Sequence, residues 1–327
     1  MTTYQHGGDI KTFAKKVDCV ESEVIDLSSN INFIHPHVTL DFDIRSYPNY
    51  ETLYESLATH FKVQSSELEL FNGGSSAIFS LFRELEDETC VLYSPAYLEY
   101  KKAALLFKKE LIMIDRFSNL YTDIPENSLV IFVNPSTPDG KLYDMEKLFA
   151  LWREKNCTIM IDESFIEFTD ASSMSKYIHD YDKLYILKSL TKFYACAGVR
   201  MGIVLSNKTN ILALKEKEPL WKISSHDSAY IQAVLKDKSF SKLAKSENKK
   251  AKHFLKEILK EYEIYDSDAN FFLLKLEGIT AKEFQEKLAP FAIMIRDCSN
   301  FDFLDERFVR IAVKSIKDLE KLQEALA

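Results

Sequence analysis

The chain has 327 residues, 46% of them hydrophobic, and a formal net charge of −8. That length and apolar content support a large core divided between two domains, whereas the acidic balance disfavours a nucleic-acid partner, whose phosphates demand concentrated positive charge. No apolar run approaches the ~20 residues that span a bilayer, and the start, "MTTYQHGGD", lacks the basic-then-apolar pattern of a secretory signal, so a cytoplasmic protein without a membrane partner is expected.

In chain order, the glycine-rich turn "FNGGSSAIFSLF" (71–82) opens a helix. Five short apolar runs follow: "CVLYSP" (90–95), "SLVIFVNP" (128–135), "CTIMID" (157–162), "KLYILKS" (183–189) and "MGIVLS" (201–206). Runs of this length, apolar on both faces, suit buried parallel strands. Between them "DMEKLFALWREKN" (144–156) has helical spacing, with Asp144 as N-cap. Strand and helix alternate, so the class is α/β. From about 207 the rhythm changes. A charged helical region (207–262) leads to strands "NFFLLKLE" (270–277), "AIMIRD" (292–297) and "FVRIAVK" (308–314), with helices at 280–291 and 315–327. The expected organisation is an N-terminal arm (1–40), a large domain with a mainly parallel sheet covered by helices on both faces (41–206), and a smaller α+β domain (207–327).

In open parallel sheets ligands bind beyond the carboxyl ends of the strands, and the polar residues of these runs sit there. Asp162 closes "TIMID", Asn134 and Thr137 follow "VIFV", and Ser189 and Lys192 follow "LYIL". Only eight of the 42 basic residues are arginine, and Arg200, Arg296 and Arg310 lie in apolar stretches, which suits fixed recognition of carboxylate or phosphate. A phosphate is met by Gly73, Gly74, Ser75 and Ser76 at a helix N-terminus with Ser189 and Arg200; a protonated ring nitrogen by Asp162; a carbonyl by the amine of Lys192. Together these describe pyridoxal 5′-phosphate. The bland alternatives are a surface lysine, a helix-capping aspartate and, for Tyr97, a core aromatic. Lys188 competes with Lys192 but reads as a strand-end residue. "NGGSS" lacks the lysine of a P-loop, no G-x-G-x-x-G follows a strand, and His35 and His37 flank a proline as a turn, with no metal site expected. The five cysteines are scattered and read as packing residues.

The spacing Ser189, Lys192, Arg200 resembles the S-x-x-K-x7-R signature of the fold-type I aminotransferase superfamily. It is joined in family order by "NGGSS", by "SPAYLEY" resembling P-x-[FY], by "NPSTPDG" resembling N-P-N-N-P-T-G, and by "IDESFIEF" resembling D-E-A-[YF], over about residues 6 to 314. The resemblance implies that Ser189 and Arg200 hold the cofactor phosphate with Gly74 and Ser75, that Lys192 forms the Schiff base, that Asp162 meets the ring nitrogen and that Tyr97 stacks on the ring. "RSYPNYETLYESLA" is similar to the R-Y-P-D segment, which makes Tyr47 a phosphate contact in the neighbouring subunit of a homodimer. The O3′ donors of the family align with Thr137 and Phe165, so Thr137 donates weakly or Asn134 replaces it.

"HGGD" (6–9) and "MIRDCSNF" (294–301) with "FVRIAV" (308–313) resemble the threonine-phosphate decarboxylase branch, whose relatives are histidinol-phosphate aminotransferases. By that analogy Arg310 grips the substrate carboxylate, Arg296 with His6, Gly7 and Gly8 faces its phosphate, and the backbone near Asn32 borders the substrate. The leading expectation is decarboxylation of threonine phosphate or serine phosphate to an amino-alcohol phosphate. The second is transamination of histidinol phosphate or a short phosphorylated ketone or amine, and the third a cofactor-binding regulator.

Overall fold

The computed structural model describes residues 6–327. The chain starts with helix α1 (Ile10–Val17) and strand β1 (Ile25–Asp26), then α2 (Glu51–Phe61), β2 (Leu68–Asn72), α3 (Gly73–Glu84), β3 (Thr89–Ser94), α4 (Leu98–Leu106), β4 (Glu110–Asp115), β5 (Leu129–Val133), α5 (Met145–Glu154), β6 (Thr158–Asp162), β7 (Leu184–Ser189) and β8 (Met201–Leu205). It continues with α6 (Lys208–Glu216), α7 (Ser225–Lys236), α8 (Lys238–Ile258), β9 (Glu263–Ile264), β10 (Phe271–Lys275), α9 (Ala281–Leu288), β11 (Ile293–Met294), β12 (Arg296–Asp297), β13 (Phe308–Ala312) and α10 (Ile316–Leu326). None of these helices is long and apolar enough to cross a membrane.

Seven strands form the large sheet in the order β2-β8-β7-β6-β5-β3-β4. Strands β7, β6, β5, β3 and β4 are parallel, and their side chains alternate between two cores. Ile159, Ile161, Leu184 and Ile186 join the core on one face; Met160, Tyr185 and Leu187 join that on the other, together with Ile78 and Leu81 of α3 and Tyr100 and Ala103 of α4. This period of two fixes which strand-end residues share a face. Asp162 and Ser189 follow the parity of the α3 and α4 face, and Lys188 follows the other.

Strand β8, expected as parallel, is antiparallel to both neighbours. The 190–200 loop before it holds no crossover helix, and without one a chain can only return antiparallel. Strands β2 and β4 escaped the sequence reading because each mixes acidic and apolar residues. In β2 the buried Glu69 is satisfied by the Tyr54 hydroxyl at 2.9 Å and Lys222 Nζ at 2.6 Å.

Asp144 caps α5 as expected, accepting from the Glu146 amide at 3.0 Å. The helical region from 207 is three helices. Pro219 lies in the break after α6, and Ser224 and Asp237 cap α7 and α8 through their side chains. Ile231, Val234, Phe240 and Ala244 pack into a core of the large sheet, whereas Ala251 and Leu255 pack under the small one, so the divide between cores runs through α8. "AIMIRD" is not one strand. β11 pairs in parallel with β1, while β12 belongs to the antiparallel sheet β12-β13-β10-β9. This split brings the N-terminal segment beside the small sheet and sets Arg296 of β12 directly opposite Arg310 of β13.

Candidate active site

Beyond the carboxyl ends of β5, β6 and β7 lies a cavity of about 310 Å³ between the large sheet, the N-terminal arm and the small sheet. Gly74, Ser75, Tyr97, Thr137, Asp162, Ser189, Lys192, Arg200, Arg296, Arg310, His6 and Gly7 all line it. Local structure explains the first group. Gly73 takes φ +84°, open to glycine, and a Cβ there would stand 2.6 Å from a guanidinium nitrogen of Arg200. Gly202 of β8 is equally tight, its Cβ falling 2.6 Å from the Gly73–Gly74 peptide. Two missing side chains therefore seat the start of α3 against β8 and Arg200. The Asn72 side chain does not cap α3 and instead donates to the Lys222 carbonyl at 3.3 Å, which leaves the first-turn amides for an anion. Around them the Ser189 and Thr191 hydroxyls are 2.9 Å apart and those of Ser75 and Tyr97 3.3 Å apart. Ser76 is exposed.

Asp162 is buried, and its carboxylate accepts from the Tyr100 hydroxyl at 2.6 Å and from the Ser164 hydroxyl and amide at 2.5 and 2.9 Å. Burial pushes its pKa up and these hydrogen bonds pull it back. Among the described residues no cation pairs with it. Lys192 is partly buried; desolvation, followed by the charges of Arg310 and Arg200, lowers its amine to about 8. Lys188 is accounted for on the other face, in a buried ion pair with Glu163 at 2.7 Å.

Four of the expected cofactor and substrate contacts need correction. Asn134 does not face the cavity, because its amide closes on the main chain of Tyr143, donating at 3.1 Å and accepting at 2.8 Å. Asn32 is likewise consumed. Its amide nitrogen donates to the Phe193 carbonyl at 2.8 Å, its oxygen accepts from Asn248 at 2.8 Å, and its main-chain N–H bonds the Lys192 carbonyl at 3.0 Å. It positions the lysine loop, and the residue of this segment that lines the cavity is Asn30. Gly8 is not a lining residue; its amide donates to Ser28 Oγ at 2.8 Å and holds the N-terminal strap in place. Arg200, expected among apolar neighbours, is exposed, with one nitrogen on the Ala197 carbonyl at 3.1 Å.

Arg310 is buried, donating to Thr137 Oγ1 at 3.1 Å and to the Ser28 carbonyl at 2.9 Å, and desolvation lowers it to about 10. Thr137 accepts that bond, so its own proton is available to a ligand. Arg296 is held by the Asp297 carbonyl at 2.6 Å and Asn300 Oδ1 at 2.7 Å, over the Phe301 ring. His6 lies 3.5 Å from Glu99 and against Tyr97, with ring centroids 5.2 Å apart. Burial lowers its pKa, and Glu99 opposes that. Phe165 lines the cavity and packs edge-on to Phe271. Tyr47 does not line its own chain's cavity; it is 75% exposed and stacked on Trp221 at 4.1 Å. Sequence reasoning missed Ser28, Asn30, Ser164, Thr191 and Tyr100; for Ser164 and Thr191 the signal was their position within two residues of Asp162 and Ser189.

The pattern of the family Aminotransferase class I and II matches residues 35–327. The chain belongs to that family. It is 30% identical over all its length to 94% of a Caldanaerobacter subterraneus subsp. tengcongensis protein provisionally named threonine-phosphate decarboxylase. Over 85% of its length it is 29% identical to a histidinol-phosphate aminotransferase of Francisella philomiragia subsp. philomiragia, covering 82% of that protein. The crystal structure of the histidinol-phosphate aminotransferase from Clostridium acetobutylicum superposes with a TM-score of 0.83 at 29% identity, over 93% of this chain and 98% of that one. This aminotransferase family works with pyridoxal 5′-phosphate, and the cavity fits it: a buried carboxylate without a cation, an amine of lowered pKa, and an uncapped helix N-terminus ringed by hydroxyls and Arg200.

Proposed function

We propose that this chain decarboxylates a small O-phosphorylated amino acid, threonine phosphate or serine phosphate, and releases the amino-alcohol phosphate. The observation that carries the reading is the cross-strand pair Arg296 and Arg310. Residues directly opposite in an antiparallel pair have Cα atoms about 4.5–5.5 Å apart, so two guanidinium groups at one wall present two anion anchors at short range. A ligand with a carboxylate and a phosphate on neighbouring carbons matches that spacing.

When bound, pyridoxal phosphate supplies an electron sink for the pair freed at the substrate Cα. Lys192 is the residue that would hold it covalently, with Asp162 against the ring nitrogen, Tyr97 and Thr137 at the ring, and Gly74, Ser75, Ser189, Thr191 and Arg200 at the phosphate. Arg310 fixes the substrate carboxylate, and Arg296, His6 and Gly7 take its phosphate. Loss of carbon dioxide leaves Cα one proton short; Lys192 Nζ, whose pKa of about 8 lies close to neutral pH, is the group suited to deliver it. Tyr47, exposed and absent from the lining of its own cavity, would complete the phosphate site of a second copy, giving a two-fold dimer. Sedimentation showing an active monomer would contradict that assembly.

The second reading, an aminotransferase on histidinol phosphate or a short phosphorylated ketone or amine, is favoured by the similarity to the Clostridium acetobutylicum structure. The deciding experiment supplies O-phospho-L-threonine or O-phospho-L-serine to the loaded enzyme without a keto acid. Stoichiometric carbon dioxide supports decarboxylation. No gas, with ready amino exchange to 2-oxoglutarate, reverses the ranking.

A further inference from the structure

Beside the cavity, on the far side of the Thr137 loop, a buried arginine that the reaction itself does not use joins the two loops that border the ring end of the site. Arg116 directly follows β4, and its side chain is 2% exposed. One terminal nitrogen donates to the Pro95 carbonyl at 2.5 Å, two residues before Tyr97. The other donates to the Thr137 carbonyl at 3.3 Å and pairs with the carboxylate of Asp139, also 2% exposed. Asp139 is anchored in turn by the Ser136 hydroxyl at 2.7 Å. Thr137 is thus gripped twice, at its carbonyl by Arg116 and at its hydroxyl by Arg310. In the motif N-P-N-N-P-T-G the place of Asp139 is taken by threonine, so the carboxylate that pairs with Arg116 belongs to this chain's own version of the loop.

We propose that Arg116 is a positioning residue: its guanidinium sets the separation of the Tyr97 and Thr137 loops, and through Thr137 the placement of Arg310. A planar fork with several donors can hold two carbonyls and a carboxylate at once, which a lysine ammonium cannot reproduce in the same plane. The cluster does not reach the phosphate end, where α3, Ser189 and Arg200 are built on other elements. The proposal holds whichever of the two reactions the chain performs.

The test uses the full-length protein freed of cofactor, titrated calorimetrically with pyridoxal 5′-phosphate and separately with inorganic phosphate. Arg116→Lys keeps the charge opposite Asp139 but loses the fork. It is expected to melt within a few degrees of the parent, to bind pyridoxal phosphate about tenfold more weakly, the effect of one or two charge-assisted hydrogen bonds, and to bind inorganic phosphate as the parent does. Unchanged pyridoxal phosphate affinity would reduce Arg116 to balancing a charge, and equal weakening of both probes would mean general loosening; either overturns the proposal. If Arg116→Lys does not fold, the double variant Arg116→Met with Asp139→Leu removes both buried charges together, a change such pairs often tolerate. The same selective weakening is expected of it. Failure of both proteins to fold would assign the pair to stability and overturn the positioning role.

Discussion

The wall of the cavity proposed for the cofactor is made of strand ends and one helix N-terminus, each polar residue lying within a few positions of a regular element. The wall proposed for the substrate is made of the N-terminal segment and the small sheet, and its decisive bond, from Arg310 to the Ser28 carbonyl, joins residues 282 apart in the chain. Local geometry places Asp162 and Ser189, since their strand parity points both toward α3 and α4. Nothing local places Arg310: it needs β13 paired with β10 and β12 and the arm laid beside them. A wall of the first kind tolerates drift elsewhere in the molecule, while one of the second kind changes whenever arm, small sheet or α8 shifts. Substitutions that separate the walls test this contrast directly.

The largest effect is expected at Lys192. Lys192→Ala removes the amine proposed to hold the cofactor and to carry the proton, and activity should fall by at least about 10³-fold. The same protein, supplied with pyridoxal 5′-phosphate, should show no visible band of a lysine Schiff base while melting normally. A variant that keeps both the band and turnover would move the site to another lysine.

On the substrate wall, Arg310→Lys retains a positive charge but gives up the bonds to Thr137 and Ser28. The substrate carboxylate then loses a bidentate partner, and KM should rise by roughly 10²-fold, the loss of one strong charge-assisted contact, with a smaller change in kcat. If kcat falls and KM stays, Arg310 acts on the reacting bond and not on binding.

A smaller, two-way result is expected from the neighbouring asparagines. Asn30→Ala should cost on the order of tenfold in kcat/KM with little change in melting temperature, because Asn30 lines the cavity. Asn32→Ala should lower stability by about 1–3 kcal/mol, since its amide serves Phe193 and Asn248 and is buried. Reversed outcomes would put Asn32 at the substrate after all.

That pair shows where sequence stops being informative. In "SSNIN" two asparagines stand two residues apart, and which one turns inward depends on partners in the lysine loop and in α8 that no local pattern reveals. Asn134 is the same case on the rim: it follows a strand like Asp162 but is taken up by Tyr143, because its loop folds back on itself. Arg116 follows an apolar run just as Lys192 does, yet its partners are carbonyls 21 residues away on either side. The alternation of strands and helices, the glycine turn before α3 and the S-x-x-K-x7-R spacing were legible because each is local. The antiparallel return of β8 and the division of "AIMIRD" between two sheets were not, since both are decided by what lies across the fold.

The finest distinction between the walls lies in charge. In cofactor-free protein the Lys192 amine titrates near 8, well below an unfolded lysine, because burial and the cations Arg310 and Arg200 oppose its charged form. Below pH 8 folded and unfolded chains both carry the proton, and the folded state bears the full penalty of holding it. Between about 8 and 10 the unfolded chain binds more protons than the folded one, so stability rises with pH, at most by about 1.4 kcal/mol per unit. Lys192→Met removes this contribution. The cofactor-free variant should therefore be more stable than the parent at pH 7, on the order of 1 kcal/mol, and the gap should close toward pH 10. Lys252, also near 8, is present in both proteins and cancels in the difference. Urea unfolding at pH 7, 8.5 and 10 measures it, and a gap independent of pH would mean that the amine is solvated in the folded chain and exerts no strain on the rim.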